Sequence, residues 1–330
     1  MMAGPSITEI RTGARAAHDR IRDLVIETPL RHSPYLSRQT GAEVFCKLEN
    51  VQVSGSFKAR GAANKLSLLS AADRQRGVVT ASSGNHGAAV AAMLARLGGR
   101  GIVFVPETTP AVKVEAIAAA GCEVRRHGED SGLCETLARE YAAAEGLTYV
   151  SPYNDADVIA GQGTIGIEIA RRMKAPDIVS VSVGGGGLIS GIAAVLKGEN
   201  PKLTVIGASA ENDHAMLLSA RAGRAVPHAG AAPTLSDGTA GSVEEGSITV
   251  PLCAELVDEW PTANEDEIAG AMRDFLTREA MVIEGAAGVA VAGLVALARR
   301  EPEKVRGKRA VIVVCGGRID AAKLAKIIAP

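Results

Sequence analysis

Four short segments of the 330-residue chain carry residue types able to do chemistry. Lys58 lies in Ser54-Gly55-Ser56-Phe57-Lys58-Ala59-Arg60-Gly61, where a loop becomes a helix. The positive end of a helix disfavours an ammonium and eases loss of its proton. A deprotonated lysine can form an imine with a carbonyl compound. The alternative is a solvated surface lysine, the commonest fate of that residue type.

The second segment, Ala81-Ser82-Ser83-Gly84-Asn85-His86-Gly87, follows an apolar strand and opens an Ala-rich helix. Small residues there let the backbone come close to a ligand. Asn85 can hydrogen-bond a ring oxygen, and Ser82 and Ser83 offer hydroxyls. An ordinary Gly-rich turn, with His86 as a packed histidine, is the alternative. In the third, Gly184-Gly185-Gly186-Gly187-Leu188, four glycines stand between a strand and a helix. Consecutive glycines can turn several N–H groups toward one anion, and the helix N-terminus adds its dipole. The G-x-G-x-x-G spacing of a dinucleotide fingerprint is absent, and no Lys-Ser/Thr follows as in a P-loop. The fourth, Val313-Val314-Cys315-Gly316-Gly317-Arg318-Ile319-Asp320, ends a buried strand in a thiol and two glycines. Ligands bind at such carboxyl edges of parallel sheets, where Cys315 could face a heteroaromatic nitrogen. A small core cysteine is the competing reading.

The elements that must position these segments alternate. Apolar runs predict strands at Glu43–Leu48, Gly77–Thr80, Gly101–Val105, Cys122–Arg126, Ile178–Val183, Thr204–Ser209 and Arg309–Val314. Helical patterns follow at Ile7–Val25, Phe57–Leu69, Ala88–Leu97, Pro110–Ala120, Cys134–Ala144, Leu188–Lys197, Glu265–Thr277 and Gly288–Arg299. Alternation of this kind indicates an α/β protein with largely parallel sheets. Gly223–Gly246 reads as loop.

Apolar residues make up 47% of the chain and aromatic ones 3%, which suits close helix–sheet packing better than a sandwich filled with rings. The net charge is −1 with both signs interspersed, so nucleic acid is not an expected partner. No apolar run approaches the roughly 20 residues that span a bilayer, and the N-terminus lacks a secretory apolar core. The five cysteines have no metal-ligand spacing and are odd in number, as free thiols in a reducing compartment would be. A cytoplasmic location is expected.

In this order, the four motifs resemble the threonine/serine dehydratase family, the fold-type II pyridoxal-phosphate enzymes that include serine racemase. The likeness runs from Glu27-Thr28-Pro29-Leu30 to Asp320. It implies a tryptophan synthase β-like α/β fold of two open, twisted, mostly parallel sheets flanked by helices. Residues 1–50 and 151–330 would form a large cofactor-binding domain and 51–150 a small one. The resemblance implies pyridoxal 5'-phosphate, carried as an imine by Lys58, with Phe57 beside its ring and Asn85 on its 3' oxygen. Gly184, Gly185, Gly186, Gly187 and Leu188 would bind the phosphate, Cys315 would sit at the pyridine nitrogen, and Glu284 would approach the cofactor. Ser82, Ser83, Gly84, Asn85 and His86 would line the pocket for the substrate carboxylate. Ser83 matches the second acid/base of the racemases.

Three departures stand out. Many relatives have serine where Cys315 stands and asparagine where Arg318 stands. Those with a divalent cation such as Mg2+ place carboxylates in an Ala-Glu-Pro-like segment; here it reads Ala210-Glu211-Asn212-Asp213, so Glu211 is the candidate ligand. A form other than the feedback-controlled one, with its added regulatory domain, is expected.

The implied reaction is β-elimination of water from a β-hydroxy amino acid, L-threonine or L-serine, to a 2-oxo acid and ammonia, with a homodimer expected. Serine racemisation, or dehydration of 3-hydroxyaspartate or a hydroxyectoine-derived acid, is the alternative. A non-catalytic binder of a phosphorylated ligand is a third reading, and it leaves the lysine motif unexplained.

Overall fold

The computed structural model describes residues 4–128 and 131–329. Two sheets organise it. The strands are β1 (Leu30–His32), β2 (Glu43–Leu48), β3 (Val78–Ala81), β4 (Gly101–Val105), β5 (Cys122–Arg126), β6 (Thr148–Tyr149), β7 (Ile178–Ser182), β8 (Thr204–Ala210), β9 (Thr262–Ala263) and β10 (Arg309–Val314). The larger sheet has the order β1-β2-β10-β7-β8-β9 and the smaller β5-β4-β3-β6. Every pairing is parallel except β1 with β2. The smaller sheet draws only on residues between 78 and 149.

The central strands are buried along their length: β7, with Ile178, Val179 and Val181, and β10, from Ala310 to Val314. Strands covered by helices on both faces lose the alternation of a half-buried strand and read as continuous apolar runs. The carboxyl ends of β10, β7 and β3 lead into Cys315, the tetraglycine turn and the Ser82–Gly84 turn.

Several helices begin earlier than periodicity predicts. They start at Asn85, Gly187 and Gly285, so the candidate residues fall in first turns or at caps. A central helix, Ala156–Arg172, was not predicted at all. Its Gly161, Gly163 and Gly166, with Gln162, Thr164 and Glu168, disguise it as loop. Those glycines let helix backbones touch. A Cβ on Gly161 would lie 2.6 Å from the Arg60 carbonyl oxygen, and one on Gly163 2.7 Å from the Ala14 Cβ. The reciprocal Gly191 would place a Cβ 2.4 Å from the Ile159 carbonyl oxygen.

Glu168 also serves a buried ionic network. Arg60 is fully buried and donates to Glu49 at 2.8 Å through both Nε and Nη2, to Glu168 Oε1 at 2.5 Å, and to Thr164 at 3.1 Å. Lys47 reaches Glu168 and the Thr28 carbonyl. Burial alone would raise the Glu49 carboxyl, but Arg60, Lys47 and Thr28 together hold it below its ordinary value. The network joins β2, the helix Lys58–Leu68 and the Ala156–Arg172 helix two residues beyond Lys58.

Candidate active site

The loop before Lys58 is tied to the end of β10. Ser56 bridges Gly316, Phe57 N donates to the Cys315 carbonyl at 2.9 Å, and Gly317 N donates to the Gly55 carbonyl at 3.0 Å. Two motifs from opposite ends of the chain thus share one hydrogen-bonded edge. Lys58 is half-buried; its Nζ donates to the Pro152 carbonyl at 2.8 Å and lies 5.2 Å from the centroid of the Phe57 ring. Loss of solvent pulls its pKa down to about 8, against the opposing charges of Glu135 and Glu284. An amine so poised is a nucleophile and a base near neutral pH.

The glycine turn has no room for side chains. A Cβ on Gly185 would stand 2.3 Å from the Tyr153 ring, and one on Gly184 2.8 Å from the Thr239 Cα. Gly186 has φ +81° and caps the Gly187–Glu199 helix without any side-chain cap, so the first-turn N–H groups stay open to an anion. Thr249 Oγ1 braces the turn by donating to the Gly185 carbonyl at 2.7 Å. Leu188 anchors it from below, with its side chain in the core.

Across from the turn, the Asn85–Leu97 helix also starts without a side-chain cap, with Gly84 at its N-cap. Ser82 Oγ accepts from Gly84 N at 3.1 Å, and Ser82, Ser83 and Gly84 are half-buried in the same turn. Asn85 Nδ2 donates to both carboxylate oxygens of Glu284, at 2.8 and 3.0 Å. Burial raises the Glu284 carboxyl to about 7. His86 departs from the expected polar lining: it is buried, and its Nε2 is engaged with the Val150 carbonyl at 3.0 Å. Burial and then Lys58 push it down to about 3, so the ring is neutral.

Cys315 is 1% exposed and its Sγ accepts from Ser182 Oγ at 3.5 Å. Burial pushes its thiol pKa well up, so it carries no charge at neutral pH. Arg318 acts on the Lys58 loop: its backbone N donates to Glu284 at 3.1 Å and its Nη1 to the Ser54 carbonyl at 3.4 Å. Glu211 is apart from this group and exposed. Its neighbour Asp213 accepts from Gly241 N at 2.8 Å and lies 3.8 Å from His228. Among the described residues no group of three or more His, Cys, Asp or Glu side chains is placed to hold a metal ion.

Sequence reasoning missed Tyr153, Asn154, Thr249 and the charged set Glu135, Arg139 and Glu244. Tyr153 and Asn154 were within reach, because they follow a strand of the parallel sheet where ligand contacts gather. The charged residues gave no local signal.

A phosphate at the open N–H groups of the glycine turn, a carbonyl carbon at Lys58 and a ring oxygen at Asn85 are what the residues present can hold together. A neutral thiol at the far end suits an unprotonated ring nitrogen. This donor set fits pyridoxal phosphate. Comparison with known proteins agrees. A family model described as pyridoxal-phosphate dependent enzyme matches residues 21–316. An L-threonine ammonia-lyase of Thermotoga maritima is 40% identical over 314 residues, 95% of this chain and 77% of that protein. The solved processed form of threonine deaminase isoform 2 from Solanum lycopersicum superposes with a TM-score of 0.89 at 34% identity, covering 98% of this chain and 94% of that one. Serine racemase from Dictyostelium discoideum gives a TM-score of 0.85 at 30% identity, covering 96% and 99%. The chain belongs to the pyridoxal-phosphate dependent enzymes.

Proposed function

We propose that the protein is an ammonia-lyase that removes water from L-threonine or L-serine and yields the 2-oxo acid and ammonia. The observation that carries this reading is the Lys58 amine, its pKa lowered to about 8, donating to the carbonyl of Pro152, the residue before the Tyr153 that covers Gly185 of the glycine turn. The similarity to the Thermotoga ammonia-lyase and the tomato deaminase supports the choice of substrate.

When bound, the cofactor supplies an electron sink for the pair left on the substrate Cα. Gly184 to Gly187 and the first-turn N–H groups behind them hold its phosphate, Asn85 its ring oxygen, and Cys315 its ring nitrogen. The open first turn of the Asn85–Leu97 helix, with Ser82 and Ser83, receives the substrate carboxylate. Lys58, released as a free amine, takes the Cα proton. The β-hydroxyl departs as water with the proton that Lys58 has taken, which returns Lys58 to the free amine, and the enamine product tautomerises to an imine that hydrolyses to the 2-oxo acid and ammonia. The buried Cys315 thiol carries no negative charge that would hold a proton on a ring nitrogen placed beside it, so the electron sink supplied there would be a modest one and prompt loss of the β-hydroxyl would be favoured.

The direct test is 2-oxobutanoate release from L-threonine by the protein reconstituted with pyridoxal phosphate. No 2-oxo acid from either threonine or serine would reject the reading. A second activity, serine racemisation, is supported by the Ser83 hydroxyl in the carboxylate turn and by the similarity to the Dictyostelium racemase. Chiral analysis of recovered serine distinguishes it.

A further inference from the structure

Beyond the glycine turn, the side of the site past Lys58 is charged. The helix Ser131–Ala144 packs on the smaller sheet through Cys134, Ala138 and Ala142. It carries Glu135 and Arg139 one turn apart, so the two share a face. Arg139 Nη2 pairs with Glu244 Oε1 at 2.8 Å, and its guanidinium carbon lies 5.4 Å from the centroid of the Tyr149 ring. Asn154 Nδ2 donates to Glu244 Oε2 at 2.8 Å, and Glu244 N donates to the Tyr153 hydroxyl at 2.9 Å. Tyr153 covers Gly185, and Pro152, the residue before it, accepts from Lys58. The charged set is thus joined through three consecutive residues to both the amine and the phosphate turn.

Its charges do not cancel. One guanidinium stands against two carboxylates, and Arg139 is spent on Glu244. The Glu135 carboxyl is pushed up to about 7, first by burial and then by the Glu244 charge, with Lys58 and Arg139 opposing. Lys58 in turn feels Glu135 ahead of Glu284. Ionised, Glu135 adds a second negative charge to the face that holds the Arg139–Glu244 pair.

We propose that Glu135 and Glu244, with Arg139 paired to Glu244, set the substrate class: β-hydroxy amino acids with an uncharged side chain are admitted and those with a second carboxylate are turned away. A second carboxylate, as in 3-hydroxyaspartate, would enter a partly desolvated region that already holds like charge, where repulsion is costly. The hydroxymethyl of serine and the hydroxyethyl of threonine meet no such penalty. The inference rests on the dehydratase reading and narrows it, since it removes the dicarboxylic alternative.

The test compares kcat/KM for L-threonine and L-threo-3-hydroxyaspartate in the wild type, Glu135→Gln and Glu135→Gln/Glu244→Gln. The wild type should favour threonine strongly. The ratio should move toward the dicarboxylic acid by about tenfold or more when Glu135 is neutralised, and further in the double variant. Equilibrium binding of malonate and propionate to the holoprotein, followed by the cofactor's visible absorbance, gives the same comparison without turnover. Malonate should gain on propionate in both variants. Unchanged ratios in both variants, or a wild type that takes the dicarboxylic acid as readily as threonine, would overturn the proposal. Absence of turnover with threonine would instead reject the dehydratase reading, and the malonate-to-propionate ratio would still decide the role of Glu135.

Discussion

Asn85 Nδ2 donates to both carboxylate oxygens of Glu284, at 2.8 and 3.0 Å, and so joins the first turn of one site helix to the cap of another. The pairing fixes the Asn85 side chain, and it does so with a buried acid whose pKa burial has raised from 4.5 to about 7. Gly316 packs so closely that an added Cβ would stand 2.5 Å from this carboxylate.

The raised Glu284 value gives a signed pH effect. In the unfolded chain its proton leaves near 4.5, in the folded chain near 7. Between those values the folded state holds more protons, so this group's contribution to stability falls as pH rises and its penalty is complete above about 7. Glu284→Gln removes the penalty but keeps one acceptor for Asn85. The difference in apoprotein Tm, variant minus wild type, should therefore increase from about pH 5 to about pH 8. Thermal melts at both pH values check this, and a difference that shrinks with pH would show that Glu284 is not held up by burial.

Lys58 should react as an unusually acidic amine. With its pKa lowered to about 8 by burial, its labelling by an amine reagent in the apoprotein should rise to half its maximum near that pH, well below the ordinary 10.5. Borohydride reduction with pyridoxal phosphate should attach the cofactor to the peptide holding Lys58, and Lys58→Ala should abolish both attachment and turnover. Peptide mapping by mass spectrometry reads all of this. Attachment at another lysine, or full activity in Lys58→Ala, would remove this residue from the chemistry.

The glycine turn should tolerate no Cβ. Gly185→Ala would set one 2.3 Å from the Tyr153 ring, so ring or turn must move. Titration of the apoprotein with pyridoxal phosphate should show at least about tenfold weaker binding, roughly 1.4 kcal/mol. The double variant Gly185→Ala/Tyr153→Ala relieves the contact and should recover part of that loss. Wild-type affinity in Gly185→Ala would mean that the turn does not bind the phosphate.

Much of this architecture is legible in the chain, and the failures have physical causes. The seven strands expected from the sequence all form; in β3, β7 and β10 burial on both faces demands continuous apolar sequence, whereas the edge strand β5 keeps Glu123, Arg125 and Arg126. β1, β6 and β9, of two or three residues, are too short to show any period. The Ala156–Arg172 helix is hidden because its glycines answer a packing need, close approach to the helices that carry Gly61 and Gly191, against their local propensity. In the site, contiguous motifs such as Ser54–Gly61 and Gly184–Gly187 announce themselves through special backbone needs. Glu135, Arg139 and Glu244 are ordinary surface residue types that only the tertiary fold brings together. His86 reads from sequence either as a pocket residue or as a packed histidine, and its burial and bond to the Val150 carbonyl fit the second.

The buried network around Arg60 should be the chain's most sensitive point outside the chemistry. Arg60 satisfies both oxygens of Glu49 and both of Glu168 with no exposure to solvent. Arg60→Met keeps the volume but leaves Glu49 buried with only Thr28 bonded to it and Lys47 nearby. Breaking a buried pair from one side costs about 3–5 kcal/mol, because the abandoned charge remains out of water. Denaturant unfolding of the apoprotein should show a loss of that order. Adding Glu49→Gln should return part of it, since the orphaned charge is then gone, and the two substitutions should be non-additive. Acidification gives an independent check. In the wild type the folded Glu49 value lies below its ordinary 4.5, so its contribution is present above that pH and is lost as pH falls through the folded value. In Arg60→Met the unpaired carboxylate takes up a proton at higher pH, so the deficit against wild type should narrow as the solution is acidified toward about pH 5. Equal stability of the single and double variants at all pH values would show that Arg60 fills space there without balancing charge.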